Sequence, residues 1–400
     1  MRWLVGGRVF DADPGAFRRA DVGIDGERIV AVSAAADRSP ADEVLDVDGL
    51  WLLPGLIDAH VHLTSTTDDA DPAAMATRTD AAVAVHTAWA AEQTLLGGVT
   101  TVRDVGGWNY VEMAVRDAVS SGRIVGPRMF LAGKLLSITT ATVDIYPGMY
   151  DVADGADAVR VAARRQLAHG ADLIKVMATG AMLSSESEDA RAIQFTLDEL
   201  RAAVEIAHDN FKHVAAHAHA CAGIENAVMA GVDSIEHCSF ADDAALRRIA
   251  AAGIHVVPTI CAGELLFRDE AVLASMPGYL RERMTDFHAQ HVATIRRAHQ
   301  LGVRIAMGTD AGTPGNHHGL NAHEVVFMVD KCGLSPVDSL RAATVEPARL
   351  LRREHDLGRL AEGAYADIVA CAADPLADIT EVTRLQLVMK GGAVVRDARG

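Results

Sequence analysis

Residues 54–62 read Pro54-Gly55-Leu56-Ile57-Asp58-Ala59-His60-Val61-His62, a short apolar run that ends in two histidines one residue apart. Because side chains alternate along a strand, His60 and His62 are expected on the same face. Two imidazoles on one face suit a divalent ion such as zinc. A lone pair of this spacing is more often not a ligand pair, so its meaning depends on the rest of the chain.

Seven further apolar runs resemble this one in length, and Ala-rich amphipathic stretches separate most of them. The eight predicted strands are Leu56–His62, Thr100–Asp104, Arg128–Ala132, Leu173–Ala178, His213–His217, Ser234–His237, His255–Pro258 and Arg304–Gly308. Helical spacing of apolar residues is clearest in Leu197–His208, Ala241–Ala252 and Ala289–Leu301. Alternating strands and helices predict an α/β fold, and eight such units predict a (β/α)8 TIM barrel over residues 53–359.

The two ends of the chain differ from this middle part because they contain short strand-like runs joined by turn residues. Trp3–Val9 reads as one strand, and an Asp-Gly-Glu turn at 25–27 joins Val22–Ile24 to Arg28–Val32. Near the carboxyl end, Gly391 and Gly392 separate two more predicted strands, with another at Ala366–Ala372. We therefore expect residues 1–52 together with 360–400 to form a small β-sandwich domain.

Polar residues end several of the predicted barrel strands, which is where a (β/α)8 barrel places its functional groups. Six candidates lie at the ends of five of the eight strands: His60, His62, Lys175, His217, His237 and Asp310. Imidazole nitrogens and a carboxylate are ligands for divalent metals. Each residue alone has an ordinary structural explanation, but their combined positions predict a metal site.

Lys175 lies within the apolar sequence Leu-Ile-Lys-Val-Met, and a lysine at a strand edge commonly extends to solvent instead. Burial lowers the pKa of an amine, and a neutral amine can add carbon dioxide to form a carbamate. A carbamate offers two oxygens and a negative charge, which would bridge two cations that the amine itself would repel. Asp310 is the matching candidate for a ligand that also accepts a proton from water, although it could be a simple turn residue.

Composition limits the partners and the compartment. The formal net charge of −17 disfavours nucleic acid and anionic membrane as partners. The five cysteines show no Cys-x-x-Cys spacing, no apolar run reaches the length of a membrane span, and the first residues lack the apolar region of a signal peptide. We expect a cytoplasmic protein with reduced thiols. Homo-oligomerisation stays open.

In combination, these segments resemble the amidohydrolase superfamily, and within it the imidazolonepropionase-like and prolidase-like metal-dependent hydrolases. The matching segments are 54–62, 98–104, Lys175, 217–219, 231–237, 308–310, 318–321 and 342–344. The resemblance implies two divalent ions, with zinc expected. His60, His62 and Asp310 would hold one ion, His217 and His237 the other, and carboxylated Lys175 with a hydroxide would bridge them.

The resemblance also implies roles around the metals. Asp310 would act as general base and acid, and His219 would donate to the developing oxyanion unless it only orients a ligand. His318 and Asn321 are expected substrate contacts, with plain loop structure as the alternative. The stretch Thr139–Asp144 departs from the Gly-Gly-His motif of dipeptidase-like relatives, which puts dipeptide specificity in doubt.

The resulting expectation is a binuclear hydrolase of small amides such as dipeptides or N-acyl amino acids. Alternatives are a mononuclear deaminase, a hydrolase of cyclic amides (imidazolones or lactams), and a carbamate or ester hydrolase on the same fold. A catalytically inactive scaffold is a further class, which the six retained ligands disfavour. Arg103 is expected either to bind a substrate carboxylate or to pair with Asp104 or another nearby acid, the latter being favoured.

Overall fold

The computed structural model describes residues 1–34, 38–67 and 76–399. Its strands are β1 Arg2–Val5, β2 Arg8–Asp11, β3 Ala16–Arg19, β4 Asp21–Asp25, β5 Arg28–Ser33, β6 Glu43–Asp46, β7 Trp51–Pro54, β8 Leu56–Val61, β9 Val99–Asp104, β10 Arg128–Leu131, β11 Leu135–Ser137, β12 Tyr150–Val152, β13 Leu173–Met177, β14 His213–Ala220, β15 Ser234–Phe240, β16 His255–Val257, β17 Arg304–Ile305, β18 Ile368–Cys371, β19 Leu387–Lys390 and β20 Ala393–Asp397.

Its helices are α1 Asp80–Leu96, α2 Val111–Ser120, α3 Ala141–Ile145, α4 Ala156–Ala168, α5 Leu197–Asp209, α6 Cys221–Ala230, α7 Asp243–Ala252, α8 Ile260–Leu266, α9 Glu270–Ser275, α10 Gly278–Gln300, α11 His323–Asp330, α12 Pro336–Ala342 and α13 Val345–Leu350, with a 3₁₀ turn at Ile379–Thr383. Within the described ranges, no helix has both the length and the apolar run that a bilayer span requires.

All eight predicted barrel strands are present, and they pair in parallel. β8, β9 and β10 form one sheet, and β13 to β17 pair in chain order in another. Two backbone bonds join the sheets into a closed barrel: Asp172 N donates to Leu131 O at 2.7 Å, and Ala59 N donates to Met307 O at 2.8 Å. The predicted (β/α)8 barrel is confirmed.

β8 and β9 are buried on both faces, as expected for parallel strands covered by helices. The helices begin where the sequence offers caps. At α5, Thr196 accepts a bond from Glu199 N, and the Glu199 carboxylate accepts one from Thr196 N at 2.7 Å, which together form a capping box. The longest helix, α10, begins well before the predicted range Ala289–Leu301, directly after Pro277.

Two short strands, β11 and β12, were not expected from the sequence. β11 pairs in parallel with β12 and with β13, at one edge of the larger barrel sheet. With only three residues each, they carry too little pattern to be recognised. They matter because Leu135 and Tyr150, at their amino ends, line the cavity described below.

The terminal strands form two sheets that share one apolar core. One sheet has the order β5-β4-β1-β6, and the other has the order β20-β19-β18-β7-β2-β3. Leu4, Ile24, Leu52 and Ile368 represent the core between them. The predicted strand Trp3–Val9 is wrong, because Gly6, at φ +85°, interrupts it and separates β1 from β2. The exact domain boundaries stay a prediction.

Candidate metal centre

One cavity of about 210 Å³ lies at the carboxyl ends of the barrel strands. The six predicted ligands and His219 all line it: His60, His62, Lys175, His217, His219, His237 and Asp310. Residues separated by up to 250 positions in the chain are thus brought to one place by the barrel. The polar composition of residues 65–79, rich in small side chains, predicts a loop after the first barrel strand. Ser65 and Thr66 of this stretch line the cavity, whereas 68–75 lies outside the described residues.

Asp58 fixes the strand that carries the first two histidines. Its fully buried carboxylate accepts bonds from His60 N at 3.0 Å, Thr309 N at 3.1 Å and Thr309 Oγ1 at 2.6 Å. Desolvation raises the pKa of Asp58, and these donors oppose the shift. Thr309 directly precedes Asp310. The Asp58 carboxylate therefore fixes the backbone beside two candidate ligands, His60 and Asp310.

Three histidines are held by neighbours that can only accept a hydrogen bond. Nδ1 of His60 bonds Glu236 Oε2 at 2.7 Å, Nδ1 of His62 bonds Gly106 O at 2.9 Å, and Nε2 of His217 bonds Gly180 O at 3.0 Å. The bonded nitrogen must therefore carry the proton. In the neutral ring, the other nitrogen is left with a lone pair, which is what a metal ligand needs.

The first two of these rings present that second nitrogen to Asp310. Its Oδ1 lies 3.4 Å from His60 Nε2 and 3.3 Å from His62 Nε2. His60 Nε2 is buried and makes no hydrogen bond within the described part of the chain. A buried polar atom without a partner is costly, and a cation at this point would satisfy it. The donor set therefore fits a divalent ion.

His219 and His237 are held by hydroxyl groups, which can donate or accept. Nδ1 of His237 lies 2.7 Å from Thr259 Oγ1, and Nδ1 of His219 lies 2.9 Å from Ser239 Oγ. Burial lowers the pKa of both rings well below its ordinary value, and nearby histidines lower it further. Burial, together with the charge of Lys175, lowers the pKa of His217 to about 3, so all three rings are neutral near pH 7.

Among the residues that the structure describes, two groups of three bring ligand atoms within 4.8 Å of one another. One comprises His217, His219 and His237, and the other comprises His60, His237 and Asp310. In the sequence-based prediction, His219 is not a metal ligand. The geometry instead puts His219 in the same group as His217 and His237, so it is positioned equally well for a ligand.

Lys175 lies on β13 with its side chain almost completely buried. Desolvation lowers its pKa to about 8, with Glu236 acting to raise it and Arg103 to lower it. The neutral amine is therefore much more populated near neutral pH than in an ordinary lysine. The explanation of Lys175 as a lysine that extends to solvent is excluded by this burial.

Left-handed backbone conformations accompany the strand ends that carry the site. Asp310 has φ +61°, His237 has φ +67° and Thr259 has φ +57°. Such values cost about 1–3 kcal/mol each in residues other than glycine and cluster at functional sites.

The contacts of Asp310 also determine its charge. Burial raises the pKa of Asp310, but His60 and His62 overcome this effect and hold the pKa well below its ordinary range.

Arg103 does not reach the cavity. Its guanidinium is fully buried and donates to Glu236 Oε1 at 2.8 Å and to Ser234 Oγ at 3.0 Å. The expectation that Arg103 pairs with a nearby acid holds, although the acid is Glu236 rather than Asp104. Glu236 thus joins Arg103 to His60 and orients the imidazole.

The two expected substrate contacts, His318 and Asn321, do not line the cavity. Asn321 is fully buried, and its Nδ2 donates to Asp58 Oδ2 at 2.7 Å, so its amide supports the buried carboxylate. The His318 ring is nearly buried, with its centroid 6.2 Å from that of His86. The structure places both residues behind the site.

The stretch that departs from the dipeptidase-like motif also stays out of the cavity. Thr139 Oγ1 donates to Asp154 Oδ2 at 2.6 Å, and Thr142 N donates to Glu188 Oε1 at 3.2 Å. The following residues, Ile145 and Tyr146, line the cavity instead. An apolar and an aromatic side chain therefore reach the cavity from the end of this segment.

Several supporting residues escaped sequence reasoning. Asp58 offered a signal, because it precedes His60 by two positions and so shares its strand face. Thr259, Ser239 and the Glu236 carboxylate offered none, since their importance arises from contacts between strands distant in sequence. His291 belongs to the same class: its Nε2 bonds His237 O at 3.0 Å.

Comparisons with known proteins find relatives that match most of this chain. A model of the amidohydrolase family matches residues 51–395. Ochratoxinase from Aspergillus niger is 32% identical over 375 residues, which cover 86% of this chain and 75% of that protein. A solved Xaa-Pro dipeptidase with bound methionine has a TM-score of 0.90 and 34% identity over 99% of both chains. A prolidase complexed with N-methylphosphonate-L-proline has a TM-score of 0.90 and 30% identity, again over 99% of both chains.

The match to the family model covers most of the chain, and the ochratoxinase match alone exceeds 30% identity over more than two thirds of it. The likeness extends over the barrel and the terminal strands together. The chain belongs to the amidohydrolase family and is a hydrolase acting on C–N bonds.

Proposed function

We propose that this protein hydrolyses small amides with the help of two divalent metal ions, for which zinc is the expected metal. His60, His62 and Asp310 would hold one ion, and His217 and His237 the other. Lys175, as a carbamate, would bridge them. The observation that supports this most directly is the buried, unpartnered His60 Nε2 beside Asp310 Oδ1, since a cation there satisfies both.

Such ions would supply a water of lowered pKa as the nucleophile and would polarise the substrate carbonyl. The protein's own residues then have defined tasks. Asp310 is ionised and close to both β8 histidines, so it can accept the proton of the attacking water and return it to the leaving amine. Glu236 and Gly106 keep His60 and His62 in the tautomer that leaves Nε2 unprotonated.

His219 has two roles open to it, and the proton on its ring separates them. If Ser239 donates to Nδ1, Nε2 carries the proton and can stabilise an oxyanion. If Nδ1 donates to Ser239, Nε2 has the lone pair of a ligand. We propose the first role, because His217 and His237 already offer two imidazoles to the same ion.

The amide class is supported by the relatives. Dipeptidases cleave a peptide bond, which is an amide, and the solved dipeptidase and prolidase match this chain over nearly its whole length. Dipeptides, N-acyl amino acids and related small amides are therefore the first substrates to test. Carbamates and esters present the same carbonyl to the same nucleophile. A mononuclear deaminase or cyclic-amide hydrolase would leave the buried Lys175 without a role.

The test is a panel of dipeptides, N-acyl amino acids, neutral amides, lactams, carbamates and esters, measured with metal-loaded protein and with protein treated with a chelator. We expect metal-dependent release of amine from at least one linear amide. Ammonia release from a purine or pyrimidine with no hydrolysis of linear amides would overturn the proposal in favour of a deaminase.

A further inference from the structure

The cavity wall facing the histidines is predominantly apolar. It is formed by the segments after β11 and β13 and by α10, and six of its apolar members are Leu135, Ile145, Met149, Leu183, Leu280 and Phe287. Phe287 packs edge-on against His219, with ring centroids 4.9 Å apart. The apolar surface therefore reaches the point where a scissile bond would lie.

Polar groups on this wall are neutral. Tyr146, Tyr150 and Tyr279 supply phenols, which can orient a ligand without carrying charge near pH 7. His288 lines the cavity, but its Nε2 lies 3.0 Å from Glu264 Oε1, so that a neighbouring carboxylate already compensates any charge on the ring. These side chains offer hydrogen bonds but no uncompensated cation.

Lys175 is the only lysine or arginine among the described residues that line the cavity, and it lies at the base among the predicted metal ligands. Arg283 contacts two lining residues from behind. Its donors are occupied by Met182 O at 3.1 Å, Ser184 Oγ at 2.8 Å and Glu188 O at 2.8 Å. No guanidinium or ammonium of this wall, as far as the described residues extend, is thus available for a substrate carboxylate.

The surroundings are acidic as well. Residues 184–190 read Ser-Ser-Glu-Ser-Glu-Asp-Ala, directly after the lining segment Ala181–Ser184. The whole chain has a net charge of −17. An anionic substrate would be repelled during approach and would find no side-chain cation on the described part of this wall.

We propose that this cavity selects amides that carry no negative charge beside the scissile bond and that present an aromatic or branched aliphatic group to the wall. This proposal rests on the proposed amide hydrolysis and narrows its substrate class. Free dipeptides and N-acyl amino acids retain a carboxylate next to the amide, and burying that charge against an apolar wall without a side-chain cation is costly. A neutral amide instead gains from the apolar surface it covers.

The test uses two substrates that differ only in the charged group, N-benzoyl-L-phenylalanine and N-benzoyl-2-phenylethylamine. Each contains one amide and two aromatic rings, and the second lacks the carboxylate. We expect kcat/KM to be about ten-fold or more higher for the neutral amide. Binding of both compounds to metal-loaded Asp310→Asn, measured by calorimetry, should show the same preference without turnover.

Failure of this inference is distinguishable from failure of the proposed function. Hydrolysis or binding of N-benzoyl-L-phenylalanine that equals or exceeds that of its neutral partner would overturn the selectivity and leave amide hydrolysis standing. If neither compound nor any other amide is hydrolysed, the proposed function fails. In that case, a calorimetric preference for the neutral compound would still support the selectivity of the cavity.

Adding a positive charge to the wall tests whether the missing cation causes the selectivity. Leu183, partly buried on the wall, would be replaced by arginine, with Leu183→Gln as a polar control without charge. We expect Leu183→Arg alone to improve kcat/KM for N-benzoyl-L-phenylalanine relative to the neutral amide. An unchanged ratio in both variants, or the same change in both, would remove the missing cation as the reason for selectivity.

Discussion

At the scale of single residues, the protonation of the site is set by what each histidine touches. A carboxylate or a backbone carbonyl accepts from one nitrogen of His60, His62 and His217, so the free nitrogen of each is defined without reference to a metal. The sequence located these histidines because they end strands. It could not locate their acceptors, since Glu236 and Gly180 are brought to them only by the closed barrel.

Lys175 provides the first prediction. Lys175→Ala should lower both bound metal and turnover, because the bridging carbamate can no longer form. Short carboxylic acids such as formate or acetate should partly restore turnover by supplying two oxygens in its place. Metal analysis and amide hydrolysis measure both effects.

The matched control is Lys212→Ala, which removes a partly exposed lysine 3.9 Å from Asp172 and distant from the cavity. It should leave metal content and rate unchanged. A Lys175→Ala variant with two metals and full activity would exclude the bridging role.

Asp310 provides the second prediction. Asp310→Asn keeps the shape but removes the charge that His60 and His62 stabilise, so turnover should fall by about 10²–10⁴-fold, as for loss of a general base. Because the residue is also a proposed ligand, one metal should bind more weakly. Steady-state kinetics on the metal-saturated variant separate the two effects, and near-normal kcat would remove Asp310 from the mechanism.

At the scale of elements, strand ends position the chemistry and one buried ion pair fixes two of the strands. Arg103 on β9 and Glu236 on β15 lie across the barrel interior, both fully buried. The strands themselves were predictable from apolar runs, with ends within a few residues. The pairing was not, because a sequence pattern shows that Arg103 needs an acid but not which strand supplies it.

We therefore predict that Arg103→Met lowers the free energy of unfolding by about 3–5 kcal/mol, since it leaves a buried carboxylate without its cation. The double variant Arg103→Met with Glu236→Leu should recover part of this loss. It should still bind metal about 10–100-fold more weakly, because His60 loses its orienting partner.

Chemical denaturation provides the measurement, and Arg160→Ala serves as the control. Arg160 pairs with the exposed Glu205, so its loss should cost less than about 1 kcal/mol. Equal effects of Arg103→Met and Arg160→Ala would contradict the proposed importance of the buried pair.

At the scale of the whole molecule, stability should depend on a carboxyl group that does not line the cavity. Glu112, in the first turn of α2, is fully buried, and neither oxygen has a partner in another described residue. Burial, assisted by the charge of Asp104, raises the pKa of Glu112 from 4.5 to about 8. A protonated buried acid stabilises the fold fully below its unfolded pKa, and this contribution is lost as pH rises through the folded value.

Glu112→Gln should therefore show a smaller fall in the free energy of unfolding between about pH 5 and pH 8 than the parent protein, because a tenfold difference in proton affinity between the folded and unfolded chain corresponds to about 1.4 kcal/mol. Replacement of the exposed Glu205 by Gln should leave the pH profile unchanged. Parallel profiles for the parent and Glu112→Gln would refute a raised pKa.

The molecule as a whole shows how far sequence reasoning extends. The barrel and the β-rich ends could be predicted because the spacing of apolar residues along the chain matches the strands and helices that form. His318 and Asn321 illustrate its limit: both follow the last barrel strand, as substrate contacts would, yet Asn321 bonds Asp58 and neither lines the cavity. Proximity to the end of a strand does not determine which way a loop residue points.

The number of metal ions bound per chain tests the central claim most directly. Elemental analysis of the purified protein, after removal of loosely bound ions by gel filtration, should find two divalent ions per chain. Less than one ion per chain, in protein that still hydrolyses an amide in the presence of a chelator, would contradict it.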